Sequence, residues 1–244
     1  MKSLLSAKAI IPAERLIFAL DVEDGQQARA LIHRLGDNVQ FYKLGLELFM
    51  AGDGFAILDE LVALGKKVFV DVKLFDVPAT VSRSVARLAD RGATFVTVHG
   101  NQSIMEAAVA AKGPRLKVLA VTALTSLDAG DLADMGFACD VEALVLSRGR
   151  RALEAGCDGV VSSGLEVPAL RGEVGDRLLV VTPGIRPVLN QEIDDQKRVV
   201  TPTKAFLNGA DYIVVGRPIR DAADPAQAAQ AIQQEIANVF AGHS

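Results

Sequence analysis

The chain has 244 residues, half of them apolar and 23% charged, and its 26 Lys+Arg against 30 Asp+Glu leave a net charge of −4 at pH 7. This balance speaks against a protein built around a basic nucleic-acid surface, and the two cysteines, Cys139 and Cys157, form no CxxC and no metal-like spacing with the three histidines. No apolar run approaches the ~18 residues of a membrane span, and the apolar start, broken by Lys8, lacks a small-residue cleavage pattern, so a cytoplasmic protein is expected.

Eight short runs rich in β-branched and apolar residues follow one another: Leu16 to Leu20, Gln40 to Leu44, Lys67 to Val70, Thr94 to Val98, Lys117 to Val121, Gly159 to Val161, Leu178 to Val181 and Tyr212 to Val215. Each is bounded by charge, Gly or Pro, as buried parallel strands are. The segments between them carry helical spacing, for example Ala28, Leu31, Ile32 and Leu35, or Val81, Val85, Leu88 and Ala89. Gly36, Gly65, Gly92, Gly156 and Gly209 stand where helices should stop, and Thr201-Pro202 and Asp224-Pro225 where helices should start. Eight βα units in one chain predict an α/β fold, a single-domain (β/α)8 TIM barrel over residues 1–244. An open doubly wound sheet is the alternative, but it lacks a GxGxxG after the first strand and a GxxxxGK[ST] loop. Residues 1–15, with Leu4, Leu5, Ile10 and Ile11, form an extension expected to cover the N-terminal mouth of the barrel.

Function in such a barrel belongs to the C-terminal ends of the strands. Asp21, Lys43, Asp71, Lys73, Asp76 and His99 all fall at or beyond the ends of the first four strands. Asp71 and Lys73 are two apart, which in an extended strand puts both on the axial face. With Asp21 and Lys43 they make an alternating set of carboxylates and ammonium groups, and Lys73 is placed to act as an acid. Charge clustered in a cleft marks a site more often than it marks idle rim salt bridges. His99, alone at its strand end, reads as structural. The seventh strand runs into Thr182-Pro183-Gly184-Ile185-Arg186-Pro187 and the eighth into Gly216-Arg217-Pro218, the place where such barrels hold phosphate. Leu189 to Arg198 is polar and aperiodic, a candidate lid from which Gln196 can reach a phosphate, and Thr122 to Ser126 ends the fifth strand in small hydroxyls.

The run Asp71-Val-Lys73-Leu-Phe-Asp76-Val-Pro78-Ala-Thr80 resembles the DxKxxDIPxT signature of the orotidine 5'-phosphate decarboxylase family. Phe18-Ala-Leu-Asp21, Tyr42-Lys43-Leu-Gly45, Leu124-Thr125-Ser126, Thr182-Pro-Gly-Ile-Arg186-Pro and Val215-Gly-Arg217-Pro resemble its other strand ends, in order, over essentially the whole chain. Phe75 stands where His is frequent, Ala79 where Asn is common and Val77 in place of Ile; none of these removes a charge.

The resemblance implies decarboxylation of orotidine 5'-monophosphate to UMP in pyrimidine synthesis, without metal or organic cofactor. Lys73 would protonate pyrimidine C6, Asp71 would lie against the departing carboxylate, and Lys43 and Asp21 would bind ribose hydroxyls. Asp76 and Thr80 would serve the partner's site in a homodimer. Thr125 would meet the pyrimidine edge, and Pro183, Arg186, Gln196, Gly216 and Arg217 would surround the phosphate. The nearest alternative is a magnesium-dependent hexulose-phosphate synthase or sugar-acid phosphate decarboxylase on the same barrel, for which Glu47 would be the candidate acidic ligand. A Schiff-base aldolase needs apolar or cationic surroundings for its lysine, opposite to the carboxylates beside Lys73. A non-catalytic phosphate-binding barrel would be expected to carry a broken charge cluster.

Overall fold

The computed structural model describes residues 4–187 and 200–241. Eight parallel strands close into a barrel in sequence order: β1 (Leu16–Ala19), β2 (Phe41–Gly45), β3 (Lys67–Leu74), β4 (Phe95–His99), β5 (Lys117–Val121), β6 (Gly159–Val161), β7 (Leu179–Thr182) and β8 (Tyr212–Val215), with β8 returning to β1. The barrel excludes the open sheet. Strand edges agree with the sequence expectation to within a residue or two except in β3, which runs four residues further, to Leu74.

The helices are α1 (Gly25–Leu35), α2 (Leu46–Met50), α3 (Gly54–Ala63), α4 (Pro78–Asp90), α5 (Gln102–Ala111), α6 (Ala129–Asp134), α7 (Val141–Glu154), α8 (Val167–Val174), α9 (Pro202–Leu207), α10 (Arg217–Arg220) and α11 (Pro225–Ala241). Local chemistry fixes their ends. The Asp24, Asp140 and Thr201 side chains accept from the N–H groups of Gln27, Ala143 and Lys204, and the Asp224 carboxylate accepts from Ala226 and Gln227. All five glycines expected to stop helices have positive φ.

Strand alternation divides the apolar residues into two cores. One set packs outward under the helices, and the other fills the barrel: Ile17, Phe41, Phe69, Phe95, Leu119, Leu179 and Tyr212 form its lower layer. Phe41, Phe95 and Tyr212 meet with ring centroids 4.9–5.9 Å apart in tilted or edge-on arrangements, the geometry that aromatic quadrupoles favour. Below this layer Ile10 packs against the inner cluster, whereas Leu4 and Ile11 are exposed. The buried Asp211 carboxylate gathers the Arg171 guanidinium at 2.7 Å, the Lys8 ammonium at 3.1 Å, the Val180 N–H at 2.8 Å and the Ser6 hydroxyl. One carboxylate thus ties the chain's start to β7 and α8, and the barrel bottom is a packed plug. A cavity opens at the other end, where the inward positions turn from apolar to charged.

Candidate active site

The second inward layer carries Ala19, Lys43, Asp71, Thr97, Val121, Val161, Val181 and Val214 on successive strands, so its charge is confined to one side of the barrel. There the Lys43 ammonium lies 2.8 Å from Asp21 and 3.7 Å from Asp71, and Lys73 lies 3.0 Å from the same Asp71. The four groups expected from the sequence therefore form one chain, carboxylate–ammonium–carboxylate–ammonium. Burial alone would pull Lys43 down, but Asp71 and Asp21 outweigh it and hold its pKa above the ordinary lysine value. Burial likewise pushes Asp71 up, but Lys43, Lys73 and hydrogen bonds from Lys73 and Thr97 hold it below the usual carboxylate range. Each charge is compensated by its neighbours, which is what keeps desolvated groups ionised.

Asp71 and Lys73 both line the cavity, as expected, but strand alternation alone does not put them there. Register shifts between Val70 and Leu74, and Lys73 has φ 50°, the one positive φ outside glycine among the described residues. Simple alternation therefore breaks between the two residues. A left-handed φ at a residue with a Cβ is held only by strong surroundings, and here the Lys73 N–H donates to Thr97 Oγ1 at 3.0 Å while the Thr97 hydroxyl donates to Asp71 at 2.9 Å. Thr97 thus fastens both the backbone of Lys73 and the carboxylate it faces. Sequence reading passed over it, although its place two residues after inward Phe95 was a usable signal. Gly45 is equally constrained. A Cβ there would stand 2.8 Å from the Asp21 carboxylate and 3.3 Å from Lys43 Nζ.

A cavity of about 460 Å³ opens above this array. Its floor includes Val121, Val161 and Val214; Thr125 enters from the loop after β5; and Pro183, Gly184, Arg186, Gly216 and Arg217 close the side facing the lysines. The long axis therefore runs from an acid–base array to a glycine-rich corner with two arginines, a polarity suited to a ligand with an anionic tail. Arg220, not singled out from the sequence, also lines this cavity; it donates to the Asp21 carbonyl at 2.8 Å and pairs with Asp221 at 2.6 Å.

Asp76 and Thr80 are not brought into the cavity. Asp76 is exposed and accepts from the Val77 N–H at 2.6 Å, and with Thr80 it borders a second, more apolar groove that includes Leu46, Met50, Phe55 and Phe75. Phe75 is 64% exposed and its ring lies 4.7 Å from that of His99. The pKa of His99 is lowered by burial and by the positive Arg148 and Lys73. Glu47 is exposed on α2 and does not line the cavity. Gln196 and the Leu189 to Arg198 segment lie outside the described residues. Among the described residues no helix is long and apolar enough to cross a membrane.

Fold and site together define a (β/α)8 barrel of the enzyme type, with a lysine–carboxylate array at one end of the cavity and a corner of glycines and arginines at the other. Residues 14–232 match the model of the orotidine 5'-phosphate decarboxylase / HUMPS family, and the chain belongs to that family. It is 66% identical over 241 residues to the orotidine 5'-phosphate decarboxylase of Methylococcus capsulatus, covering 99% of both chains. To the enzyme of that name from Rhodopseudomonas palustris strain HaA2 it is 52% identical over 225 residues, covering 92% of this chain and 95% of the relative. The crystal structure of orotidine 5'-phosphate decarboxylase from Lactobacillus acidophilus superposes with a TM-score of 0.80 at 36% identity, covering 91% of this chain and 99% of that one.

Proposed function

We propose that the chain decarboxylates orotidine 5'-monophosphate to UMP and carbon dioxide, using its own side chains and no metal or organic cofactor. The observation that carries this reading is the shared Asp71, an ionised carboxylate held between two ammonium groups at the closed end of the cavity. With the 5'-phosphate in the corner of Pro183, Arg186, Gly216 and Arg217, the pyrimidine ring lies toward Thr125 and its C6 carboxylate toward Asp71 and Lys73. Two carboxylates then face each other, a repulsion relieved when carbon dioxide leaves. The C6–carboxylate bond breaks with its electron pair remaining on C6, where the Lys73 ammonium stabilises the developing charge and delivers the proton that completes UMP. Lys73 recovers a proton from solvent after product release. Lys43 and Asp21 hold ribose hydroxyls, and their ion pair keeps Asp71 in place. Gln196, which lies outside the described residues, would complete the phosphate contacts in this reading.

The rival magnesium-dependent sugar-phosphate reading needs carboxylates free to ligate a cation. Asp21 and Asp71 are instead each bonded to a lysine, and Glu47 is not among the residues lining the cavity. The two readings separate in one assay. Protein treated with EDTA is expected to remove the ultraviolet absorbance of orotidine 5'-monophosphate as fast as untreated protein; unchanged absorbance with folded protein that turns over a hexulose phosphate only with magnesium supports the sugar-phosphate enzyme.

The working unit in this reading is a homodimer. Asp76 and Thr80 stand outside their own cavity on a face with exposed Met50, Phe55, Phe75 and Val77, where a second copy would cover the apolar surface and receive Asp76 in its own site. Sites that span the interface give a distinctive mixing result. Lys73→Ala and Asp76→Ala proteins, each inactive alone, are expected to regain about a quarter of wild-type activity when subunits are exchanged in equal amounts, because half of the dimers are mixed and each has one intact site. Failure of the exchanged mixture to regain activity would place Asp76 in its own subunit's chemistry.

A further inference from the structure

The loop that brings Thr125 to the cavity has no regular element at its base, yet it must present a hydroxyl to a small heterocycle. β5 ends at Val121, and its neighbour β4 ends at His99, so the carbonyl of Thr122 continues beyond the point where a strand partner is present. On the other side the Thr122 hydroxyl and N–H donate to the Val161 carbonyl of β6 at 2.8 and 3.3 Å. The Thr122 carbonyl is taken by a cation from the outer layer: Arg148 of α7 donates to it from Nη1 at 2.6 Å. The same guanidinium lies 5.7 Å from the ring centroid of Phe137, in the stretch between α6 and α7. Arg148 therefore holds the excursion from β5 to α7 near both its ends, through the peptide at its start and a ring near its finish.

The path of this side chain is built into the turn after β4. A Cβ at Gly100 would stand 3.0 Å from Arg148 Cδ and 2.9 Å from the Val121 carbonyl. Glycine leaves the gap through which the arginine stem passes, and a half-buried guanidinium is well suited to a backbone carbonyl with no strand partner, since charge-assisted bonds are the stronger ones.

We infer that Arg148 is a positioning residue for recognition of the nucleobase: it sets the loop 122–126, and through it Thr125, against the pyrimidine, while taking no part in binding the phosphate. The inference rests on the proposed nucleotide reading and deepens it by separating the base-reading end of the cavity from the phosphate end. A merely structural arginine would weaken every ligand equally or lower thermal stability alone.

The test compares UMP with ribose 5-phosphate, which carries the phosphate and sugar without the base, by calorimetric titration of wild type, Arg148→Met, Arg148→Lys and Phe137→Leu. Arg148→Met is expected to weaken UMP about tenfold, the order expected for one charge-assisted hydrogen bond, with ribose 5-phosphate bound as by wild type. Arg148→Lys should recover part of the loss, because its ammonium can still donate to the carbonyl. Phe137→Leu, which leaves that bond in place, should show a smaller loss of the same selectivity and keeps the inference testable if Arg148→Met folds poorly. Equal losses for both ligands, or UMP binding unchanged in all three variants, overturns the inference while leaving the decarboxylase reading intact. Wild-type protein that binds ribose 5-phosphate but not UMP overturns both.

Discussion

Lys73→Ala is expected to lower kcat by at least about 10⁴-fold while leaving UMP affinity within a few-fold of wild type. The size follows from two losses that the proposed mechanism places at one atom: the acid that protonates C6 and the charge that stabilises it before protonation, effects that together exceed the ~10²–10⁴ usual for an acid alone. The protein should still fold, because Lys73 is 37% exposed and Asp71 keeps both Lys43 and the Thr97 hydroxyl as partners. Alanine also has a Cβ, so the cost of φ 50° at this position is not newly imposed. Lys73→Arg should be nearly as damaging, since a guanidinium scarcely gives up a proton and its planar fork does not fit the place of a compact ammonium. Initial rates by ultraviolet absorbance and UMP binding by calorimetry check both halves. Lys73→Ala protein with more than a hundredth of wild-type kcat would remove Lys73 from the chemistry.

The second large effect lies at the opposite end of the cavity. Arg217→Ala is expected to reduce kcat/KM about 10²–10³-fold, mainly through KM, as removal of one partner from a desolvated, hydrogen-bonded charge pair does. The informative comparison is between nucleotide and nucleoside. UMP should bind far more weakly to the variant than to wild type, whereas uridine, without the phosphate, should bind the two equally. A kcat loss with KM unchanged would move Arg217 from binding to catalysis. Lys73→Ala and Arg217→Ala should thus produce opposite signatures, and that contrast is the kinetic image of a cavity with chemistry at one end and anchorage at the other.

Much of this architecture was legible because the signals repeat. Fully buried strands such as Ile17 and Phe18 or Val180 and Val181 read as short apolar runs, and glycine stops at Gly65 or Gly92 mark where each unit turns back to the sheet. The charged residues at strand ends were legible for the complementary reason: a barrel interior rejects them unless they compensate one another. What was missed depends on side chains whose partners are remote in sequence. The length of β3 was hidden because Asp71 and Lys73 interrupt its apolar run, and the conformation of Lys73 is imposed by Thr97, 24 residues away. Thr97 was concealed among the apolar residues of β4. Arg220 was not singled out from the sequence, because it is its bond to the remote Asp21 carbonyl that places it beside the cavity. Asp76 shows a different limit: exposed and outside its own cavity, it takes a role only in the proposed homodimer.

The most direct test of the central claim follows the reaction by NMR in D₂O, with wild type and Lys73→Ala side by side on orotidine 5'-monophosphate labelled in the carboxylate carbon. Wild type is predicted to release one labelled carbon dioxide for each UMP formed, every UMP carrying deuterium at C6 and none at C5, while Lys73→Ala leaves the substrate intact over the same period. Unchanged substrate with folded wild-type protein, or C6-deuterated UMP formed equally fast by the variant, would contradict the assignment of Lys73 as the proton donor of a decarboxylase.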